Sequence, residues 1–180
     1  MSQPIVFDNG SGMVRAGFAG GERPVCTIRG FVGRPKYRRV MVQTHMEEAH
    51  FVGPVAEQHR GVLNLTYPIE HGVVKNWSDM ERLWTFIYTE GLGNAVRTED
   101  HPVLLAEPPH NPTENKTKAA EIFFETFNSP SLFISPQSPL ALYSSGRTTG
   151  VVLDSGDGVS HVAPIYQGFG LPHATRRIDL

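Results

Sequence analysis

Two segments of the chain repeat a pattern whose chemistry suits a bound phosphate group. Residues 5–13 and 151–159 each hold three apolar residues, an aspartate, a small polar residue, a glycine, a polar residue, a second glycine and an apolar residue, and they align without a gap. In each segment the apolar run predicts a buried strand and the glycine-containing turn predicts a β-hairpin. The second strands of the two hairpins are predicted at 13–18 and 159–165.

The residue types in the two turns could hold a metal-bound polyphosphate. Glycines let backbone N–H groups converge on an anion, and Ser11 and Asp157 add polar side chains. Asp8 and Asp154 would repel a phosphate directly, so we expect them to orient the water shell of Mg²⁺. One such turn alone is more typical of an ordinary β-hairpin, but two copies in the same strand context favour opposing jaws around a polyphosphate. The Walker A loop and the dinucleotide-binding glycine motif do not fit, because Arg15 stands where the latter needs its third glycine.

Composition excludes several functional classes. The chain has 180 residues, 39% of them hydrophobic, with 16 Lys and Arg against 18 Asp and Glu and a net charge of −2. This is ordinary globular composition, and the charge argues against a protein that mainly binds nucleic acid. A single cysteine, Cys26, excludes a disulfide framework and a multi-cysteine zinc site. No apolar stretch approaches the roughly 20 residues that span a bilayer, and no signal-peptide pattern begins the chain, so we expect a reducing, cytosolic or nuclear compartment.

Helices alternate with strands between the two turns. Ser78 and Glu81 form the pattern of a capping box, which predicts a helix over 78–90. Asn111 as N-cap, followed by a proline, predicts a second helix over 112–127. Further elements are strands at 102–106 and 132–135 and a short helix at 137–144. This alternation is typical of an α/β layer structure.

A basic run lies between Arg29 and Arg39, with five basic residues and no acid. The pattern favours a solvated loop over an anion site. Residues 41–50 predict a mobile loop, and the spacing of His45 and His50 does not favour a metal site.

Motifs along essentially the whole chain make it similar to actin and actin-related proteins. They lie at 8–12, 16–20, 32–35, 67–72, 101–105, 124–128, 145–150 and 154–159. The resemblance implies an α/β, ribonuclease-H-like ATPase fold with nucleotide in a cleft between two lobes. It implies a first lobe at 1–31 and 68–143, a small insertion domain with a neighbour-contacting loop at 32–67, and the start of a second lobe at 144–180.

Within this family the chain is most similar to the centractin subfamily, whose members form the short filament of dynactin. Residues 51–61, 73–77 and 133–135 carry that similarity, and the chain lacks the acidic N-terminal run of conventional actin. The resemblance implies filament neighbours and dynactin subunits as partners, no nucleic acid or membrane insertion, and a location in the cytoplasm and cytoskeleton, with the centrosome as a candidate. Conventional actin remains the alternative within the family.

The resemblance also implies ATP or ADP with Mg²⁺ as cofactor and a role for each site residue. Asp8 and Asp154 would act on Mg²⁺ through water, and Gln137 and His161, with Asp154, would position the attacking water. The phosphate-binding residues would be Gly10, Ser11, Gly12, Met13, Arg15, Gly156, Asp157, Gly158 and Val159. Catalysis would then rest on positioning and electrostatics without a covalent intermediate.

Several positions depart from the family pattern. Arg15 replaces a lysine, and the two are not interchangeable at a phosphate. Pro136 and Pro139 flank Gln137, although a helix tolerates proline in its first turn. Pro108 replaces a small residue, and the 36–50 loop is one residue longer than expected.

The resemblance ends at residue 180, about halfway along a usual family member. If the natural product ends here, we expect it to bind nucleotide weakly and hydrolyse little; if the chain is a fragment of a longer protein, we expect the full protein to bind ATP. The competing functions are a truncated, non-polymerising actin-like product and a sugar kinase of the same fold. The kinase would need a sugar-binding set of residues that the sequence does not show.

Overall fold

The computed structural model describes residues 3–36, 50–93 and 96–178. Its strands are β1 (Ile5–Asn9), β2 (Met13–Phe18), β3 (Cys26–Arg29), β4 (Val32–Pro35), β5 (Leu63–Thr66), β6 (Ile69–Glu70), β7 (Val73–Val74), β8 (Val103–Glu107), β9 (Leu132–Pro136), β10 (Gly150–Ser155), β11 (Ser160–Tyr166), β12 (Phe169–Gly170) and β13 (Arg176–Ile178). Its α-helices are α1 (Gly53–Gln58), α2 (Trp77–Phe86), α3 (Thr113–Glu121) and α4 (Gln137–Ser144). Short 3₁₀ turns lie at Thr98–Asp100 and Pro172–Ala174.

The first layer is a five-stranded mixed sheet in the order β3-β2-β1-β8-β9. The β1–β2–β3 pairings are antiparallel, and β8 and β9 continue the sheet in parallel. The hydrophobic core joins this sheet to residues of α2, α3 and the turns that follow them. At its centre Phe123 packs against Phe7 and Trp84, with ring centroids 5.5 and 4.7 Å apart. Aromatic side chains of the two long helices therefore belong to the hydrophobic core.

The two long helices both end in a π-helical turn, at Ile87–Gly91 and Ile122–Thr126. In each turn a backbone N–H reaches a carbonyl five residues back, from Leu92 to Ile87 and from Phe127 to Ile122. The predicted spans of 78–90 and 112–127 thus locate the helices, but each is an α-helix that widens at its C-terminal end.

Both predicted helix caps are wrong. The α2 cap is Asn76, whose Oδ1 accepts the backbone N–H of Asp79 at 3.1 Å, so the helix begins before Ser78. Asn111 does not cap α3, because its Oδ1, the atom that a cap would use, instead accepts from the Asn115 side chain at 3.2 Å. Its Nδ2 donates at 3.0 Å to Oε2 of the buried Glu107, which is also paired with Lys116.

The second layer is the β10-β11-β12 sheet, with β13 paired to β11. Helix α4 leads into it and begins at Gln137, directly after Pro136. The helix accommodates Pro139 because a first-turn N–H needs no helical partner. The short helix predicted at 137–144 is confirmed.

A smaller unit packs beside the first sheet. Strands β4 and β5 pair antiparallel, and α1, which the sequence did not predict, lies over them. Phe31, Ala56 and Leu63 form its separate core. Residues 41–49 of the predicted 41–50 loop, including His45, and residues 37–49 of the 36–50 insertion lie outside the described residues, whereas His50 is described and exposed.

Tyr88 should make the fold sensitive to alkaline pH. Burial raises the pKa of Tyr88 from 10.0 to about 12, and the neighbouring Ser129 acts in the opposite direction, although the two buried hydroxyls do not meet at hydrogen-bonding geometry. Because the folded-state pKa is the higher one, this contribution to stability is complete below pH 10 and is lost as the pH rises towards 12. Urea midpoints measured across this pH range should fall less steeply for Tyr88→Phe than for the unchanged protein. Exposed Tyr166→Phe is the control, and parallel curves for Tyr88→Phe and the unchanged protein would contradict the expectation.

Candidate functional site

The two predicted turns pack tip to tip. A Cβ added to Gly158 would lie 2.5 Å from Ser11 Oγ, and one added to Gly12 would lie 2.8 Å from the Asp157 carboxyl group. Each turn therefore presents a glycine to the polar side chain of the other. Bare backbone is what permits this close approach.

The two turns are closed in the same way. Gly10 N–H donates to the Met13 carbonyl at 3.0 Å, and Gly156 N–H donates to the Val159 carbonyl at 3.0 Å. The repeat in the sequence is thus a repeat in structure.

A third segment, residues 71 and 72, contacts both turns. The Gly72 N–H donates to Ser11 Oγ at 3.0 Å, and Nδ1 of His71 lies 2.9 Å from the Gly158 carbonyl oxygen. His71 adopts a positive φ of 49°, and Gly72 one of 78°. The segment bends sharply between β6 and β7 and so contacts both hairpins at once.

A cleft of about 610 Å³ opens between the hairpins. Every residue that the sequence predicts for the site lines this cleft: Asp8, Gly10, Ser11, Gly12, Met13, Arg15, Gln137, Asp154, Gly156, Asp157, Gly158, Val159 and His161. The structure therefore brings together all of the predicted positions, while their individual roles stay predictions.

On the first hairpin, the Asp8 carboxylate is held from two sides. Arg15, directly opposite on β2, donates to Asp8 Oδ2 at 3.2 Å. Gln137, at the start of α4, donates to Asp8 Oδ1 at 2.9 Å. The ion pair is partly open to solvent, so it fixes geometry more than it stabilises the fold.

On the second hairpin, Asp154 and His161 lie opposite each other on β10 and β11. His161 is 2% exposed and Asp154 is half-buried. The neighbouring pair is joined by a hydrogen bond of 2.9 Å between the hydroxyls of Ser155 and Ser160. This places an acid and a histidine together at the cleft wall.

The donor set fits a polyphosphate better than a bare metal ion. No acceptor among residues 3–36, 50–93 and 96–178 bonds the turn N–H groups of Ser11, Gly12, Asp157 or Gly158, so these are available to an anion. Within the same ranges no group of three or more His, Cys, Asp or Glu side chains could hold a metal by itself. A magnesium ion would therefore reach Asp8 and Asp154 through its own waters, as that ion prefers.

Comparison with known proteins decides the family. The family described as actin matches residues 1–180. The chain belongs to the actin family. Its α/β structure is that of the actin-like ATPase fold. Actin-family proteins generally bind ATP or ADP with Mg²⁺ and are generally cytoskeletal and cytoplasmic.

The chain is similar to an actin-like protein of Neurospora crassa. The two are 56% identical over 178 residues, which cover 98% of this chain and 46% of the relative. The chain thus spans about half the length of the curated relative it matches. Where the structure is described, it contains no helix long and apolar enough to cross a membrane.

Gly72 and Arg29 line the cleft and His71 contacts the second turn, but the sequence predicts none of the three as a site residue. His71 and Gly72 belong to a family motif, but only the fold brings them onto the turns. Arg29 lines the cleft, although the composition of the basic run that contains it favours a solvated loop. The register of β3 against β2 decides that position, and the sequence pattern around Arg29 did not reveal it.

Proposed function

We propose that this actin-family chain binds ATP or ADP with Mg²⁺ in the cleft between its two hairpins. The observation that carries the proposal is the tip-to-tip packing of two equivalent glycine turns, each with available N–H groups. Bound Mg²⁺ supplies positive charge that offsets the phosphates.

The first hairpin holds the terminal phosphates through Gly10, Ser11, Gly12 and Met13, with Arg15 adding charge. The second hairpin holds them from the other side through Gly156, Asp157, Gly158 and Val159. Because both sets are backbone groups at fixed separation, the site needs no large rearrangement of side chains.

Asp8 and Asp154 orient the waters of the metal ion from opposite walls. Gln137 and His161 orient the water that attacks the γ-phosphate, with Asp154 opposite His161. Gln137 is well placed for this because its donation to Asp8 at 2.9 Å fixes the side chain at the cleft wall.

Isothermal titration of the chain with Mg-ATP and Mg-ADP tests the binding proposal. We expect one site per chain and weaker binding when EDTA removes the magnesium. The dissociation constant should lie above the micromolar range, because the chain spans about half of its matched relative. Absence of heat for both nucleotides would overturn the binding proposal, and micromolar or tighter binding would overturn the expectation of weak affinity.

We further propose that the whole protein is a centractin-like filament subunit of dynactin, with 1–31 and 68–143, 32–67 and 144–180 as its domain segments. The sequence at 51–61, 73–77 and 133–135 supports this subfamily. Dynactin subunits should co-purify with the tagged protein from its own cells. Association with conventional actin filaments alone would favour the conventional-actin alternative, and neither association would favour a non-polymerising product.

A further inference from the structure

Arg29 lies on the cleft face of the first sheet beside the phosphate turn. On β3 it is directly opposite Met13 of β2, and Arg15 is two residues further along β2. Residues opposite each other, and residues two apart, share one face of a sheet. Met13, Arg15 and Arg29 all line the cleft, in agreement with this register.

The backbone next to Arg29 is fixed to the turn itself. Gly30 N–H donates to the Gly12 carbonyl at 3.0 Å. A Cβ on Gly30 would lie 3.0 Å from the Ser11 carbonyl oxygen, so this strand end runs directly against the turn. Arg29 is therefore held at the phosphate end of the cleft.

Within the described part of the chain, the guanidinium of Arg29 has one weak partner, which lies outside the cleft. Its Nε atom is 3.5 Å from Glu57 Oε1 on α1, and both side chains are about half exposed. Glu57 does not line the cleft. Among the described residues, no acceptor takes a hydrogen bond from the two Nη nitrogens, and an exposed ion pair of this length is easily exchanged.

We infer that Arg29 is a further anion-binding residue of the cleft, which contacts the terminal phosphate of a nucleoside triphosphate and gives up its ion pair with Glu57 in doing so. Arg15 is already paired with Asp8 inside the cleft, whereas the partner of Arg29 lies outside it. A phosphate entering the cleft therefore competes for Arg29 with Glu57, the one partner that Arg29 has among residues 3–36, 50–93 and 96–178. The inference rests on the proposed nucleotide site and adds a preference for the triphosphate over the diphosphate.

Titrations of five proteins with Mg-ATP and Mg-ADP at low salt test this inference. They are the unchanged chain, Arg29→Gln, Glu57→Gln and the double variant, with Arg23→Gln as the charge-matched control. Arg23 lies in the loop that joins β2 to β3, is exposed, and does not line the cleft. We expect Arg29→Gln to weaken Mg-ATP binding about fivefold and Mg-ADP binding less than about twofold, since a half-exposed charged contact is worth that much.

The variants at Glu57 separate a binding role from a structural one. Glu57→Gln should tighten Mg-ATP binding, and the double variant should bind like Arg29→Gln alone. Equal effects of Arg29→Gln and Arg23→Gln, or weaker binding after Glu57→Gln, would overturn the inference and leave the proposed nucleotide site standing. Failure of the unchanged chain to bind either nucleotide would overturn both.

Discussion

Gly158→Val should weaken Mg-ATP binding by at least about tenfold while leaving the chain folded. A Cβ at this position would lie 2.5 Å from Ser11 Oγ and 2.8 Å from Ser11 Cβ. Non-bonded atoms pack at roughly 3.5–4.0 Å, so the two turns must move apart by about 1 Å. A displacement of that size lowers the affinity strongly where backbone N–H groups must converge on one ligand.

The displacement also breaks the link that holds the turns in register. Ser11 Oγ accepts from Gly72 N–H, and His71 contacts the Gly158 carbonyl, so separation of the turns disturbs both contacts. Isothermal titration measures the loss, and circular dichroism checks the fold. Gly170→Val is the matched control, because no heavy atom lies within 4 Å of its added Cβ. Equal affinities for the two valine variants would show that contact between the turns does not shape the site.

The sequence predicted which residues line one cleft better than it predicted the ends of the helices, while the roles of those residues stay predictions. The duplicated turn could be recognised because its chemistry is contained in two short segments, and all of the predicted positions line one cleft. The positions of Arg29 and His71 depend on contacts between distant parts of the chain, which no short segment of sequence specifies. Arg29 faces the cleft because β3 pairs with β2 in one register. His71 reaches Gly158 across 87 positions of sequence.

The helix ends were predicted less well, because long-range partners compete with local signals. Asn111 has the right type and position for a cap, yet Asn115 donates to its Oδ1 and buried Glu107 accepts from its Nδ2. Ser78 and Glu81 match a capping box. The residue that caps the helix is nevertheless Asn76, whose side chain accepts the backbone N–H of Asp79. The π-helical ends carry no signal in the apolar spacing, which fits an α-helix equally well over the same residues.

Asp79→Ala should lower the free energy of unfolding by about 3 kcal/mol, because it leaves buried charge without its partner. Asp79 is fully buried. Its Oδ1 accepts from Arg34 of β4 and from Arg82 of α2, and its Oδ2 accepts from the Asn76 side chain at 3.0 Å. The carboxylate thus joins the helix start to the small β4–β5 sheet.

Removing that carboxylate leaves two guanidinium groups facing each other without the charge between them. Both arginines keep about a third of their side chains exposed, so part of the penalty is relieved by water. Urea unfolding followed by circular dichroism measures the loss. Asp79→Asn, which keeps the volume, should fall between the unchanged protein and alanine.

Glu121→Ala is the control for the loss of an ion pair, because its partner Lys118 is exposed and such pairs contribute at most about 1 kcal/mol. Equal losses for Asp79→Ala and Glu121→Ala would contradict the buried network. Asp79 does not line the cleft, so the Asp79 variants should keep their affinity for nucleotide wherever they remain folded. Gly158→Val should instead lower the affinity for nucleotide while leaving the chain folded. A loss of stability in the Asp79 variants and a loss of nucleotide affinity in Gly158→Val would show that the Asp79 carboxylate stabilises the small sheet, whereas the contact between the turns shapes the cleft.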